Sequence, residues 1–205
     1  MKRNLKAQEK RDNLIKEFKK LDRNKIHILY FDYKLNFYNL YHNTALLATK
    51  ALSWVTFSKD IDHVCHISRF NYDRSKKIWS PKVFEAQVNS GMIENDLFHK
   101  LYNFKGTCYI ETLKNTNKNK AKLFEEKYSG ISYSKTAAFL SGFDIGKSSR
   151  KASKNGGFCS WLVALFLIDQ GYKLRREEGN ALEMTPTDIW KEKISKKNKK
   201  ILYKS

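Results

Sequence analysis

Cysteine is scarce in this 205-residue chain, at three residues: Cys65, Cys108 and Cys159. An odd number with no paired spacing excludes a disulfide framework. Two prolines and nine glycines leave no room for a collagen-like, proline-rich or low-complexity chain. Long hydrophobic runs are missing too. The longest, Trp161 to Ile168, is far shorter than the roughly 20 residues that span a bilayer. The start, Met1-Lys2-Arg3-Asn4, leads into alternating charge, so no signal peptide is expected. These absences predict a cytoplasmic protein of a reducing compartment.

What is present supports a packed globule. Hydrophobic residues make up 41% and aromatics 14%, which excludes a disordered chain. A chain of this size buries roughly 70% of its extended surface on folding. Acids are outnumbered, 21 against 40 Lys plus Arg, giving a net charge of +19. Such a surface favours polyanionic surroundings: nucleic acid, anionic lipid or anionic cell wall. The richness in Lys, Asn, Ile and Tyr equally matches the bias of an AT-rich genome.

The pattern divides into a charged helical appendage at 1–24, a core domain at 25–190 and a basic, frayed tail at 191–205. Leu14, Phe18 and Leu21 give the first helix a thin apolar stripe. Ile26 to Tyr33 reads as a buried strand. Leu40, Thr44, Leu47, Ala51 and Trp54 mark an amphipathic helix. His63 to Phe70 and Lys82 to Val88 read as strands, joined by a polar loop from Asn71 to Pro81 in which Pro81 stops the ladder. A helix over Glu94 to Tyr102 and a strand over Thr107 to Leu113 follow. After the basic connection Asn115 to Lys122 come a helix ending near Gly130 and another over Tyr133 to Leu140. Ser141 to Gly157 is a loop. Cys159 opens the most apolar helix, which Gly171 ends. Thr185-Pro186-Thr187-Asp188 signals a further helix start.

Cys159 is the residue around which chemistry can be built. At the first turn of a helix, free backbone N–H groups and the helix dipole favour a thiolate. The same N–H groups suit an oxyanion that develops in acyl transfer. The position also fits a small buried hydrophobe. A nucleophile needs a base, and His63-Val64-Cys65-His66 offers two, on opposite faces of one strand. Only one can face Cys159. His63 and Cys65 share a face as metal ligands would, but no second ligand pair of comparable spacing accompanies them, so neither metal nor cofactor is expected. Glu85 is an acid within an apolar strand and needs a partner, which orienting an imidazole would supply. A surface-facing carboxylate is its other reading.

The order of these motifs resembles the circularly permuted papain-like amidases of the NlpC-type superfamily, which include lecithin–retinol acyltransferase relatives and a poxviral branch. The resemblance rests on Asp62-His63-Val64-Cys65-His66-Ile67, Phe84-Glu85-Ala86 with Gly91, Gly130-Ile131-Ser132-Tyr133, Phe158-Cys159-Ser160-Trp161-Leu162-Val163 and Thr185-Pro186-Thr187-Asp188. It covers about Ile26 to Trp190. It departs where Cys65 replaces a small Gly, where Leu162 replaces an acid, and where Lys25-Ile26-His27 replaces Gly-Asp-Ile.

The resemblance implies an α+β, permuted papain-like fold with a mainly antiparallel sheet packed against the Cys-bearing helix. It implies a cysteine hydrolase or amidase in which Cys159 attacks, His63 moves the proton, Glu85 orients the imidazole and Tyr133 lines the cleft near the oxyanion. Tyr133 fits a core tyrosine equally well. The substrates implied are cell-wall peptide amides or lipid-like esters and amides, met at an anionic wall or membrane surface, and a viral or phage source fits the poxviral branch. Two alternatives remain. One is a thiol acyltransferase. The other is a non-catalytic, basic nucleic-acid-binding or structural protein, for which no RRM, KH or zinc-finger signature is present.

Overall fold

The computed structural model describes residues 2–34, 61–75, 77–114, 116–136, 156–174, 184–192, 194 and 199–205. In chain order the elements are α1 (Lys2–Lys19), β1 (His27–Tyr33), β2 (His63–Asp73), β3 (Ile78–Gln87) and β4 (Gly91–Asp96). They continue with α2 (Leu97–Asn103), β5 (Gly106–Thr112), α3 (Lys118–Tyr128), α4 (Cys159–Asp169), α5 (Pro186–Lys191) and β6 (Lys200–Lys204). Among the described residues this is an α+β fold with a six-stranded antiparallel sheet, ordered β4-β3-β2-β1-β5-β6, and five helices.

Strand alternation explains the layering. In β1, Ile28 and Tyr30 enter one buried cluster while Leu29 and Phe31 enter the other. Val64 and Cys65 of β2 divide in the same way. The first cluster is closed by α4 with Phe124 of α3, and the second by Leu14 and Phe18 of α1 and by Leu97, Phe98 and Leu101 of α2. A sheet covered on both faces needs apolar residues at successive positions of its central strands, which is why Ile28-Leu29-Tyr30-Phe31 is buried throughout. Each large side chain so buried contributes about 1.5–3 kcal/mol. Helix α4 is apolar all round and buries eight residues, Cys159 to Ala164 with Phe166 and Leu167, so it runs through the interior.

Several expectations need correction. The Asn71 to Pro81 segment is mostly ladder: Phe70 pairs Pro81, Asn71 pairs Ser80, Tyr72 pairs Trp79 and Asp73 pairs Ile78. Pro81 lies just past the last β3–β4 pair, Lys82↔Asp96, where β3 has a partner on one side alone. The expected helix over Glu94 to Tyr102 starts later. Glu94 to Asp96 belong to β4, and Asp96 caps α2 by accepting the His99 N–H at 2.9 Å. The expected frayed tail contains β6, paired antiparallel with β5, with Leu202 buried. Tyr133 is not helical but forms a parallel bridge with Gly157. The helix from Leu40 and nearly all of the Ser141 to Gly157 loop lie outside the described residues.

The segment that carries Tyr133 is docked by main-chain bonds. Met92 donates to Ile131 O at 2.8 Å and Gly130 donates to Met92 O at 3.0 Å. This close approach requires glycine at 91, whose φ is +72° and whose place a Cβ would share with Ile131 O at 2.3 Å. At the other end of the chain, α5 begins as expected. Thr185 Oγ1 accepts the Asp188 N–H at 3.1 Å, and Asp188 Oδ2 accepts the Thr185 N–H at 2.8 Å. No described helix is long and apolar enough to cross a membrane.

Candidate active site

Cys159 is the first residue of α4 and is 7% exposed. Its N-cap, Phe158, offers no side-chain cap, so the first-turn N–H groups have no competing side-chain acceptor there. The His63 imidazole and the Val64 and Ser160 main-chain amides lie beside the Cys159 sulfur and favour its charged form. Burial alone would raise the thiol pKa. The neighbouring imidazole and the two amides outweigh it and hold the thiol below its ordinary value. The helix is held close by a contact that only glycine permits. A Cβ at Gly157 would stand 2.0 Å from the Trp161 ring.

His63 opens β2 at the end of the strand, opposite Phe31 of β1. Its Nε2 donates to Glu85 Oε2 at 2.6 Å. A carboxylate can only accept, so this bond assigns the proton to Nε2 and leaves Nδ1 for the thiol. Burial and the Lys100 ammonium push the imidazole pKa down. The neighbouring Cys159 and Cys65 sulfurs override them and raise it well above the ordinary value. Thiol and imidazole thus shift in opposite directions, which favours a thiolate–imidazolium pair.

Glu85, on β3, has a fully buried side chain and four donors. Oε2 accepts from His63 and from Lys100 of α2, while Oε1 accepts from Asn95 of β4 at 2.8 Å and from Gln87 at 3.2 Å. Burial would protonate it, but the His63 and Lys100 charges and bonds hold the carboxyl far below the usual range, so it is ionised. Lys100 is pushed in the complementary direction. Burial lowers its pKa, Glu85 more than compensates, and the ammonium stays charged.

Sequence reasoning placed Cys159, His63, Glu85 and Tyr133 in one site, and the structure brings them together. Burial and the nearby Cys159 charge raise the Tyr133 phenol well above its usual value, so it stays neutral and able to donate. The choice between the two histidines also resolves. His66 is fully buried, stacked on Phe166 of α4 at 3.8 Å, and bonded to Glu125 at 2.9 Å, so it is a core residue on the opposite strand face. Lys100 and Asn95 were not foreseen. A signal existed for Lys100, which lies three residues after Leu97 and so on the apolar side of α2. None existed for Asn95, whose position depends on β3–β4 register.

His63, Cys65 and Glu85 lie within 4.8 Å of one another, the kind of cluster that can hold a metal ion. Here the cationic place beside Glu85 is taken by the Lys100 ammonium, and both carboxylate oxygens already accept two bonds each. The donor set is therefore that of an oriented imidazole. No protein-family model, curated protein or solved structure matches this chain.

Proposed function

We propose that this protein is a cysteine hydrolase of the amidase or peptidase type, acting through an acyl-enzyme on a permuted papain-like fold. The carrying observation is a buried thiol on the first residue of a helix, with an imidazole among its neighbours that a buried glutamate holds in one tautomer. The Cys159 thiolate attacks an amide or ester carbonyl carbon and forms the C–S bond. The His63 imidazolium gives its proton to the departing amine or alcohol as that bond breaks. Water then attacks the thioester with His63 taking its proton, and the acid leaves as Cys159 is regenerated. Backbone N–H groups at the start of α4 and the Tyr133 hydroxyl suit the oxyanion. The +19 charge suits a substrate at an anionic wall or membrane surface.

The test is alkylation with iodoacetamide over a range of pH, with the modified residue mapped by mass spectrometry. Cys159 reacts at lower pH than Cys65 and Cys108, whose thiols burial pushes up. Equal rates for Cys65 and Cys159 would remove the nucleophile. Adding amines to a Cys159-dependent ester assay separates hydrolysis from acyl transfer, because a transferase passes the acyl group to dilute amine in preference to the far more concentrated water.

A further inference from the structure

We propose that Lys100 is a positioning residue of this site: by gripping the Glu85 oxygen that His63 also uses, its ammonium fixes the aim of the carboxylate and shares its charge. The inference rests on the proposed chemistry. Four donors reach Glu85, and two of them, Asn95 and Gln87, are neutral amides that satisfy Oε1. Satisfying Oε2 needs no cation beyond His63. A buried ammonium is costly to desolvate, and an apolar residue on the same face of α2, beside Leu97 and Leu101, would pack at lower cost. Yet Lys100 points inward, with a side chain 17% exposed and its Nζ 4.9 Å from the centroid of the Phe31 ring.

The gain is in the behaviour of His63. A buried carboxylate serving the imidazole alone would stabilise the imidazolium strongly, and an imidazolium that is too stable is a poor proton donor. A second cation on the same oxygen offsets that pull, as like charges disfavour one another's charged forms. Among the described residues, the other ionisable groups around the pair are Cys65 on β2, Tyr33 on β1, Cys108 on β5 and Cys159 on α4, with Tyr133 next to Cys159. Lys100 is the one cation among them besides His63.

The experiment follows the His63 ring by NMR across pH in the full chain, comparing the native residue with Lys100→Met, Lys100→Gln and Lys100→Arg. Met and Gln each move the His63 titration upward by about one pH unit, because a nearby positive charge is gone, and Arg returns it. Gln keeps a hydrogen bond to Glu85, so a merely structural Lys100 predicts a native titration in that variant. That result overturns the proposal, as does an unmoved titration in Lys100→Met. Should Lys100→Met not fold, Lys100→Gln decides. The same comparison in a Cys159→Ala background reads the Lys100 effect without the thiolate. An unreactive Cys159 would refute the hydrolase, whereas an unmoved His63 would refute the role of Lys100.

Discussion

Replacing Glu85 with Gln changes shape little and charge completely. It leaves the Lys100 ammonium, 17% exposed, without its counter-ion, and it weakens the bond to His63. Removing one partner of a buried ion pair costs about 3–5 kcal/mol, most of it from the stranded charge. At roughly 2–4 °C per kcal/mol for a chain of this size, even the lower figure lowers Tm by about 6–12 °C. Replacing both partners, Glu85→Gln with Lys100→Met, removes the stranded charge, so the double variant is more stable than Glu85→Gln alone. The assay is urea unfolding of wild type, the two single variants and the double variant near neutral pH, read as a double-mutant cycle. The pH dependence has a fixed sign. The folded-state pKa of Glu85 lies below its ordinary 4.5, so its contribution is fully present above that value. The contribution is lost as pH falls through the depressed folded value, and the gap between wild type and Glu85→Gln narrows in acid. Additive single effects, or a gap that widens in acid, would refute the reasoning.

Two further outcomes separate the site from its surroundings. His66→Leu removes the hydrogen bond to Glu125 and the stack on Phe166, and costs about 1–3 kcal/mol in urea unfolding. It leaves the pH dependence of Cys159 alkylation in place, whereas His63→Ala shifts that reaction to higher pH. Gly157→Ala drives a methyl group into the Trp161 ring, 2.0 Å from the new Cβ, and costs about 1–3 kcal/mol. Because Trp161 shares the first turn with Cys159, alkylation should slow in the same variant, and a native rate would show that the turn absorbs the methyl without moving the thiol.

The legible parts of this chain were those with strong local signals. The apolar run after Cys159 could only be a buried helix, and the His63 to Ile67 alternation set the strand phase that separates His63 from His66. Thr185 and Asp188 announced α5 through their capping box. Positions decided by pairing were harder to read. Glu94 to Asp96 carry no strand propensity and are extended because β3 supplies a ladder. Lys200 to Lys204 look like a solvated basic tail, yet β5 provides an edge on which Leu202 can be buried. The Pro81 segment looked broken because the cost of a proline depends on which side of its strand is paired. Lys100 escaped notice for a related reason: a lysine is read as solvent-facing until a buried carboxylate is known to stand opposite it.

The Val64 main-chain amide lies beside the Cys159 sulfur, and it adjoins His63, the base of the proposed chemistry. Imidazole and N–H therefore reach the thiol as one rigid piece of β2, across nearly a hundred residues of sequence. Before α4 docks on the sheet, Cys159 has neither neighbour and behaves as an ordinary cysteine, mostly protonated at neutral pH. Nucleophilicity is in that sense a property of the finished molecule. On the proposed chemistry, a nascent, misfolded or partly unfolded chain carries a quiet thiol, and reactivity arises only with the native state.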